Sequence, residues 1–173
     1  MKRGWLVLLL VVGMGAPAVS RAQVSAYGEF SVSDLHNLVS QDFLLGATTG
    51  VLVDGPHIFR PLLVSADIQG RFVRKSGESL NGVTVGPRFS LSPKFGGLAP
   101  YAEFLVGFAR YNNPNNGGPT TDSTIQVNGG VTKRVSPRWD VAAEYSYSQY
   151  YALGGQYNPK TYSVGAVYHF AKR

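Results

Sequence analysis

The chain has 173 residues, a formal net charge of +6 and no cysteine. The lack of cysteine excludes disulfide bonds and thiolate metal sites, so packing and hydrogen bonding must stabilise the fold. Three of the sixteen lysines and arginines lie in the first 22 residues, which leaves thirteen against ten acidic residues. Because no block of like charge remains, the sequence argues against a nucleic-acid-binding protein.

The first 22 residues have the pattern of a secretory signal peptide. Lys2 and Arg3 precede an apolar run over residues 5–16, and Ser20-Arg21-Ala22 offers small residues at both positions of a cleavage site. A single transmembrane helix is the alternative, but the apolar run is shorter than the roughly 20 residues that a bilayer requires. We predict a leader at 1–22 and one mature domain at 23–173.

After the leader, the chain alternates between apolar and polar residues with a period of two, which is typical of β-strands with two different environments. The stretch 62–74 shows this best, since one face is apolar and the other carries Asp67, Gln69 and Arg71. Such a contrast suits a strand between lipid and a polar lumen. The predicted strands are 24–32, 42–53, 62–74, 80–91, 100–111, 123–134, 138–151 and 161–170.

These segments predict an all-β protein, an eight-stranded antiparallel up-and-down transmembrane β-barrel. An even number of strands connected in this way closes without a free edge, as a bilayer requires. The Ser-Pro turns at 92–94 and 136–138 are placed on the periplasmic side. The segment 112–119, His36 and residues 151–159 are placed outside. Pro87, inside a strand, predicts a lost ladder hydrogen bond or a bulge.

On these residues, the chain resembles the eight-stranded outer-membrane barrels of the OmpA/OmpX type. The resemblance covers the mature chain and rests on the leader, the eight segments and a final strand ending in Tyr168-His169-Phe170. It implies a place in the cell outer membrane and a small barrel filled by side chains. It also implies that Phe170 signals to the barrel-assembly machinery, although three residues follow it. No peptidoglycan-binding domain is expected, and a monomer is favoured.

Hairpin geometry predicts a network of charged side chains in the lumen. A turn centred on Gly77-Glu78 would pair Asp67 with Arg88, and a turn centred on Phe95-Gly96 would pair Arg88 with Glu103. Buried charges need partners, so we expect these side chains to form a structural polar core, with a proton or ion path as the alternative. The same reasoning pairs Arg134 with Asp140 across the 136–138 turn. Three further charged residues fall on the lumen face of their strands by the same alternation and are expected to join the network: Glu29, Arg71 and Glu144.

The opposite face of the strands predicts contacts with lipid. Arg74 and Arg110 end two strands on the external side, where they are candidates for contact with lipopolysaccharide phosphates, with snorkelling at the rim as the alternative. Aromatic residues near the two rims predict the girdles of a membrane barrel. The external girdle comprises Phe72, Phe108 and Tyr162, and the periplasmic girdle comprises Phe89, Trp139, Tyr168 and Phe170.

No catalytic site, metal or cofactor is predicted. Ser33-Asp34-Leu35-His36 brings suitable residue types together, but in a predicted flexible loop, and Ser163 is too far along its strand from His169 to serve as a nucleophile. The third histidine is His57. A structural or surface-interaction barrel is the leading hypothesis and a narrow pore for ions or small solutes the second. A lipid A-modifying enzyme and a soluble lipocalin-like ligand binder are less favoured.

Overall fold

The computed structural model describes residues 23–37, 40–59, 61–75, 77–91, 97–112, 119–152 and 155–171. The predicted leader and most of the predicted external loop at 112–119 lie outside these ranges. The described residues form nine strands. They are β1 (Val24–Asn37), β2 (Ser40–Phe59), β3 (Leu62–Lys75), β4 (Glu78–Leu91), β5 (Leu98–Asn112), β6 (Thr120–Ser136), β7 (Trp139–Ala152), β8 (Gly155–Tyr157) and β9 (Lys160–His169).

Eight of these strands close into one antiparallel barrel. Each strand from β1 to β6 pairs with the next, β7 pairs with β9, and β9 pairs with β1. The short β8 pairs only with the external end of β7, so it extends a hairpin beyond the barrel. The predicted eight-stranded up-and-down barrel is therefore confirmed, and the eighth predicted strand is β9.

The barrel has an apolar outer wall and a polar interior. Large apolar side chains are exposed along every barrel strand, for example Phe30, Ile68 and Phe104, whereas their immediate neighbours Glu29, Asp67 and Glu103 are buried. This is the inverse of a soluble barrel, in which apolar residues point inward around a ligand. The arrangement overturns the lipocalin-like alternative.

The first hairpin is longer than predicted. Pairing between β1 and β2 continues through His36 and Gln41 to Asn37 and Ser40, so the predicted flexible loop around His36 is strand. Side chains there still alternate between the two faces of the strand, but the lumen face now carries an apolar residue, since Leu35 is buried in the lumen. A period-two pattern with an apolar residue on the lumen face is easily mistaken for the end of a strand.

Pro87 interrupts the ladder without a bulge. Pairing between β4 and β5 is missing around Pro87, but the pairs Val85–Val106 and Arg88–Glu103 on either side keep one register. The missing proline N–H accounts for the gap. Among the described residues, no helix is long and apolar enough to cross a membrane.

Candidate functional site in the barrel lumen

A buried ion pair joins β4 and β5 in the lumen. Arg88 and Glu103 are direct cross-strand partners, as the predicted register requires, and Arg88 Nη1 lies 3.2 Å from Glu103 Oε1. Asn128 on β6 donates from Nδ2 to Glu103 Oε2 over 2.7 Å, and the Arg88 guanidinium lies 3.5 Å above the ring of Tyr101. Arg88 therefore has both an ionic and an aromatic partner.

The predicted pairing of Asp67 with Arg88 is wrong by two residues. Asp67 lies opposite Gly86, and Arg88 lies opposite Ser65. The cause is the position of the turn: the β3–β4 hairpin closes at the pair Lys75–Glu78, so the turn is centred one residue earlier than predicted, with Gly77 at φ 93°. Because the shift is even, Asp67 still faces the lumen.

Asp67 takes its hydrogen bonds from a tyrosine instead. The Tyr27 hydroxyl donates to Asp67 Oδ2 over 3.0 Å and accepts from Gln69 Nε2 over 3.1 Å. Tyr27 reaches across the intervening strand β2 by lying over Gly50, where an added Cβ would overlap its ring. The glycine is required by this close approach.

The other half of the barrel contains the same arrangement. Tyr101 on β5 lies over Gly130 on β6, where an added Cβ would again overlap the ring, and its hydroxyl donates to Glu144 on β7 over 3.1 Å. Sequence reasoning missed these tyrosine–glycine–carboxylate groups. A signal was present, since the pattern Tyr-x-Glu-Phe-x-Val occurs at both 27–32 and 101–106.

Arg71 occupies the middle of the lumen. Its Nη2 lies 3.7 Å from Glu144 Oε1, and it donates hydrogen bonds to the hydroxyls of Thr48, Ser146 and Thr161. These residues belong to β2, β7 and β9, so one guanidinium connects three strands besides its own. Hydroxyl contacts such as Ser31 to Thr48 (2.7 Å) and Ser31 to Ser163 (2.9 Å) complete this polar layer.

Glu29 is the least satisfied acid of the layer. It lies opposite Gly165, and its Oε2 has no hydrogen-bond partner among the described residues although Glu29 is only 5% exposed. The layer contains four buried carboxyl groups (Glu29, Asp67, Glu103 and Glu144) but only two buried arginines (Arg71 and Arg88). Two carboxyl groups have an ion pair within 4 Å among the described residues, namely Glu103 and Glu144.

A second chain of polar contacts closes the periplasmic end of the lumen. Arg134 and Asp140 are cross-strand partners, as predicted, with Nε to Oδ1 at 3.4 Å. His169 Nε2 lies 2.9 Å from Asp140 Oδ2, and its Nδ1 lies 2.7 Å from Ser25 Oγ. Sequence reasoning missed Ser25 because it is 144 residues from its partner and meets it only when β9 closes against β1.

These residue types are those of a hydrolase triad, but their setting suits a structural role. Ser25 is 1% exposed and His169 is 4% exposed, which leaves no approach for a substrate. The imidazole connects β9 to both of its neighbours, β1 and β7. Among the described residues, no group of three acidic, histidine or cysteine side chains is placed to hold a metal ion.

The external end of the lumen is apolar, which the sequence analysis did not anticipate. The buried cluster contains Leu35, Leu44, Val73, Leu80, Ala109 and Tyr150, and Tyr111 packs against it. The cavity beside this cluster measures about 20 Å³, which is room for about one water molecule. This apolar layer lies above the charged layer and separates it from the outside.

The predicted lipid-facing residues all lie on the outer wall. Arg74 and Arg110 are exposed near the external ends of β3 and β5, on either side of Asn81, which pairs with Arg110. The external aromatics Phe72, Phe108 and Tyr162 are exposed, and the Tyr162 ring packs on Tyr145 at 5.2 Å. On the periplasmic side, Phe89 is exposed, and Trp139, Tyr168 and Phe170 form one cluster.

An apolar wall around a closed, polar barrel defines an integral membrane protein of the β-barrel class. The family profile of the outer membrane protein beta-barrel domain matches residues 5–170. The chain belongs to this family, and it is a protein of the outer membrane.

Solved structures with the same fold support this assignment. The chain is similar to Neisserial surface protein A (16% identity, TM-score 0.58, covering 86% of this chain and 97% of that one). It is also similar to Ail, the attachment invasion locus protein of Yersinia pestis (16% identity, TM-score 0.51, covering 86% of this chain and 97% of that one). A third similar structure is the N-terminal β-barrel domain of Pseudomonas aeruginosa OprF (16% identity, TM-score 0.51, covering 87% of this chain and 100% of that one). No curated protein matches the sequence.

Proposed function

We propose that this protein is a non-conducting, non-enzymatic barrel that has a structural or surface-interaction role in the outer membrane. The observation that carries the proposal is the filled lumen. Arg71 connects its own strand to β2, β7 and β9 across the middle of the lumen, and the apolar layer between Leu35 and Tyr150 lies above it. Ions cross a membrane protein only along a hydrated path, and an apolar constriction opposes hydration.

A surface role accords with the names of two proteins of similar fold, a surface protein and an attachment invasion protein. In such a role, the barrel holds the external hairpins at a fixed height above the membrane. The identity of a partner would depend on those hairpins, which include the extension formed by β8.

Conductance in planar bilayers tests this proposal. We expect no discrete current steps from the folded wild-type protein, with a large porin in the same membranes as the positive control. Reproducible single-channel steps would contradict the proposal and favour the narrow pore.

The external arginines support a second part of the proposal, contact with lipopolysaccharide. Arg74 and Arg110 are exposed on the lipid side, and Asn81 between them adds an amide donor. Planar guanidinium groups suit phosphate oxygens. Replacing both arginines by Gln should lower the thermal stability gained from added lipopolysaccharide, and an unchanged gain would contradict this contact. Recognition of Phe170 by the barrel-assembly machinery stays a prediction.

A further inference from the structure

Three aromatic side chains form a continuous cluster on the outer wall, at the periplasmic ends of β7 and β9. The ring centroids of Trp139 and Tyr168 are 4.9 Å apart, and those of Tyr168 and Phe170 are 5.3 Å apart. Trp139 is 47% exposed and Phe170 is 59% exposed. Amphipathic rings in this position lie at the level of the lipid headgroups.

Two cations border the cluster. Arg138 directly precedes Trp139 and donates from Nη1 to the Tyr168 hydroxyl over 3.4 Å, which holds the guanidinium against the outer wall. Lys133 on β6 is exposed and lies opposite Val141, one pair along the outer face from Trp139. Diagonal neighbours of this kind are within reach of a long side chain.

Neither cation has an acidic partner in the part of the chain that the structure describes. Among the described residues, neither Lys133 nor Arg138 forms an ion pair, whereas the neighbouring Arg134 is paired with Asp140. Lys133, Arg138, Trp139, Tyr168 and Phe170 together form what we call the rim patch. Two positive charges remain available there, beside exposed aromatic rings.

We infer that the rim patch binds the phosphate of an anionic glycerophospholipid in the periplasmic leaflet. The guanidinium of Arg138 offers a planar pair of donors to the phosphate oxygens, and Lys133 adds a second charge from the neighbouring strand. The Tyr168 hydroxyl fixes Arg138 in place, and Trp139 and Phe170 pack against the upper part of the acyl chains. Two cations against one phosphate favour a lipid with net negative charge over a zwitterionic one.

Lipid retention measured by native mass spectrometry tests this site. The full mature protein is folded in detergent and incubated with phosphatidylglycerol or with phosphatidylcholine, and bound lipid is counted after collisional activation. We expect the wild type to retain phosphatidylglycerol preferentially, and Lys133→Gln with Arg138→Gln to lower that retention by roughly fivefold. Tyr168→Phe keeps the ring but frees Arg138, so it should give a smaller loss.

Lys160→Gln is the matched control, because it removes one exposed cation from the external end of β9, at the opposite rim, where no phosphate contact is proposed. Its retention of phosphatidylglycerol should equal that of the wild type. An equal loss in Lys160→Gln, or equal retention of both lipids by the wild type, would overturn the inference. Heat-dependent gel mobility confirms that each variant is folded, and conductance is not part of the readout, so this test is independent of the proposed function.

Discussion

Glu29 and Glu103 occupy matching places in the repeated Tyr-x-Glu-Phe-x-Val pattern, but their surroundings differ. Glu103 lies opposite Arg88, whereas Glu29 lies opposite Gly165. A buried carboxyl group lowers stability unless a hydrogen-bond donor or a cation lies beside it. We therefore expect Glu103 to contribute favourably to the stability of the barrel and Glu29 to contribute unfavourably.

Glu103→Gln should destabilise the barrel, because it leaves Arg88 buried without its ion pair. Glu29→Gln should be neutral or stabilising, because it removes one of the excess negative charges and no ion pair. The midpoint of urea unfolding, followed by tryptophan fluorescence in lipid vesicles, measures both. An equal loss of stability in the two variants would contradict the difference described here.

Replacing Arg88 by Met tests the same pair from its other side. Removing one partner of a buried ion pair typically costs about 3–5 kcal/mol, because the remaining charge is left uncompensated. We expect a loss of that size in the free energy of unfolding. Arg110→Met, which removes an exposed cation from the outer wall, should cost less than about 0.5 kcal/mol. A small effect of Arg88→Met would exclude a structural role for this pair.

Two adjacent glycines give a sharp test of the packing around Tyr101. A Cβ at Gly130 would overlap both the Tyr101 ring and the backbone carbonyl oxygen of Ala143, whereas a Cβ at Gly129 would meet nothing within 4 Å. Gly130→Ala should therefore destabilise the protein by about 1–3 kcal/mol, the usual cost of overpacking. Gly129→Ala should leave stability unchanged or raise it slightly. Equal unfolding midpoints for the two variants would contradict the close packing of Tyr101 and Ala143 around Gly130.

At the scale of elements, closure of the barrel depends on β9, whose periplasmic end is connected by His169 to both neighbouring strands. His169→Ala removes the contacts to Ser25 and Asp140 while leaving the backbone pairing in place. Hydrogen exchange should become faster for amides at the periplasmic end of β9 and unchanged near Tyr162. Uniformly faster exchange along β9 would indicate that the contacts do not act locally.

The strands, and the side of the barrel wall to which each side chain points, could be predicted from the sequence because apolar and polar residues alternate with the two environments of the strand. All eight predicted strands are present, and the lumen-facing charges are on the predicted face. The register between strands is harder to predict. The predicted pair Arg88–Glu103 is present, but Asp67 pairs with Gly86 and not with Arg88. The position of the turn at Gly77 depends on backbone conformation, which the alternation of the strands does not reveal. Ser25 and His169 come from opposite ends of the chain, and only barrel closure brings them together.

For the whole molecule, the apolar and charged layers act together. The external cluster around Leu44 covers the charged layer, and the ion pairs of Arg71 and Arg88 connect strands within that layer. In the function we propose, such a barrel is a rigid anchor for its external hairpins. We propose that the exposed cations at both rims contact lipid headgroups and fix the height of the barrel in the membrane.

The central claim is that the lumen is filled, and the absence of cysteine allows a direct test. Ser146 is 0% exposed and accepts a hydrogen bond from Arg71, so a single cysteine there reports on water in the middle of the lumen. We predict that Ser146→Cys resists a charged thiol reagent in the folded protein and reacts after unfolding. Thr121→Cys, on the exposed external end of β6, should react in both states. Rapid labelling of Ser146→Cys in the folded barrel would contradict a filled lumen.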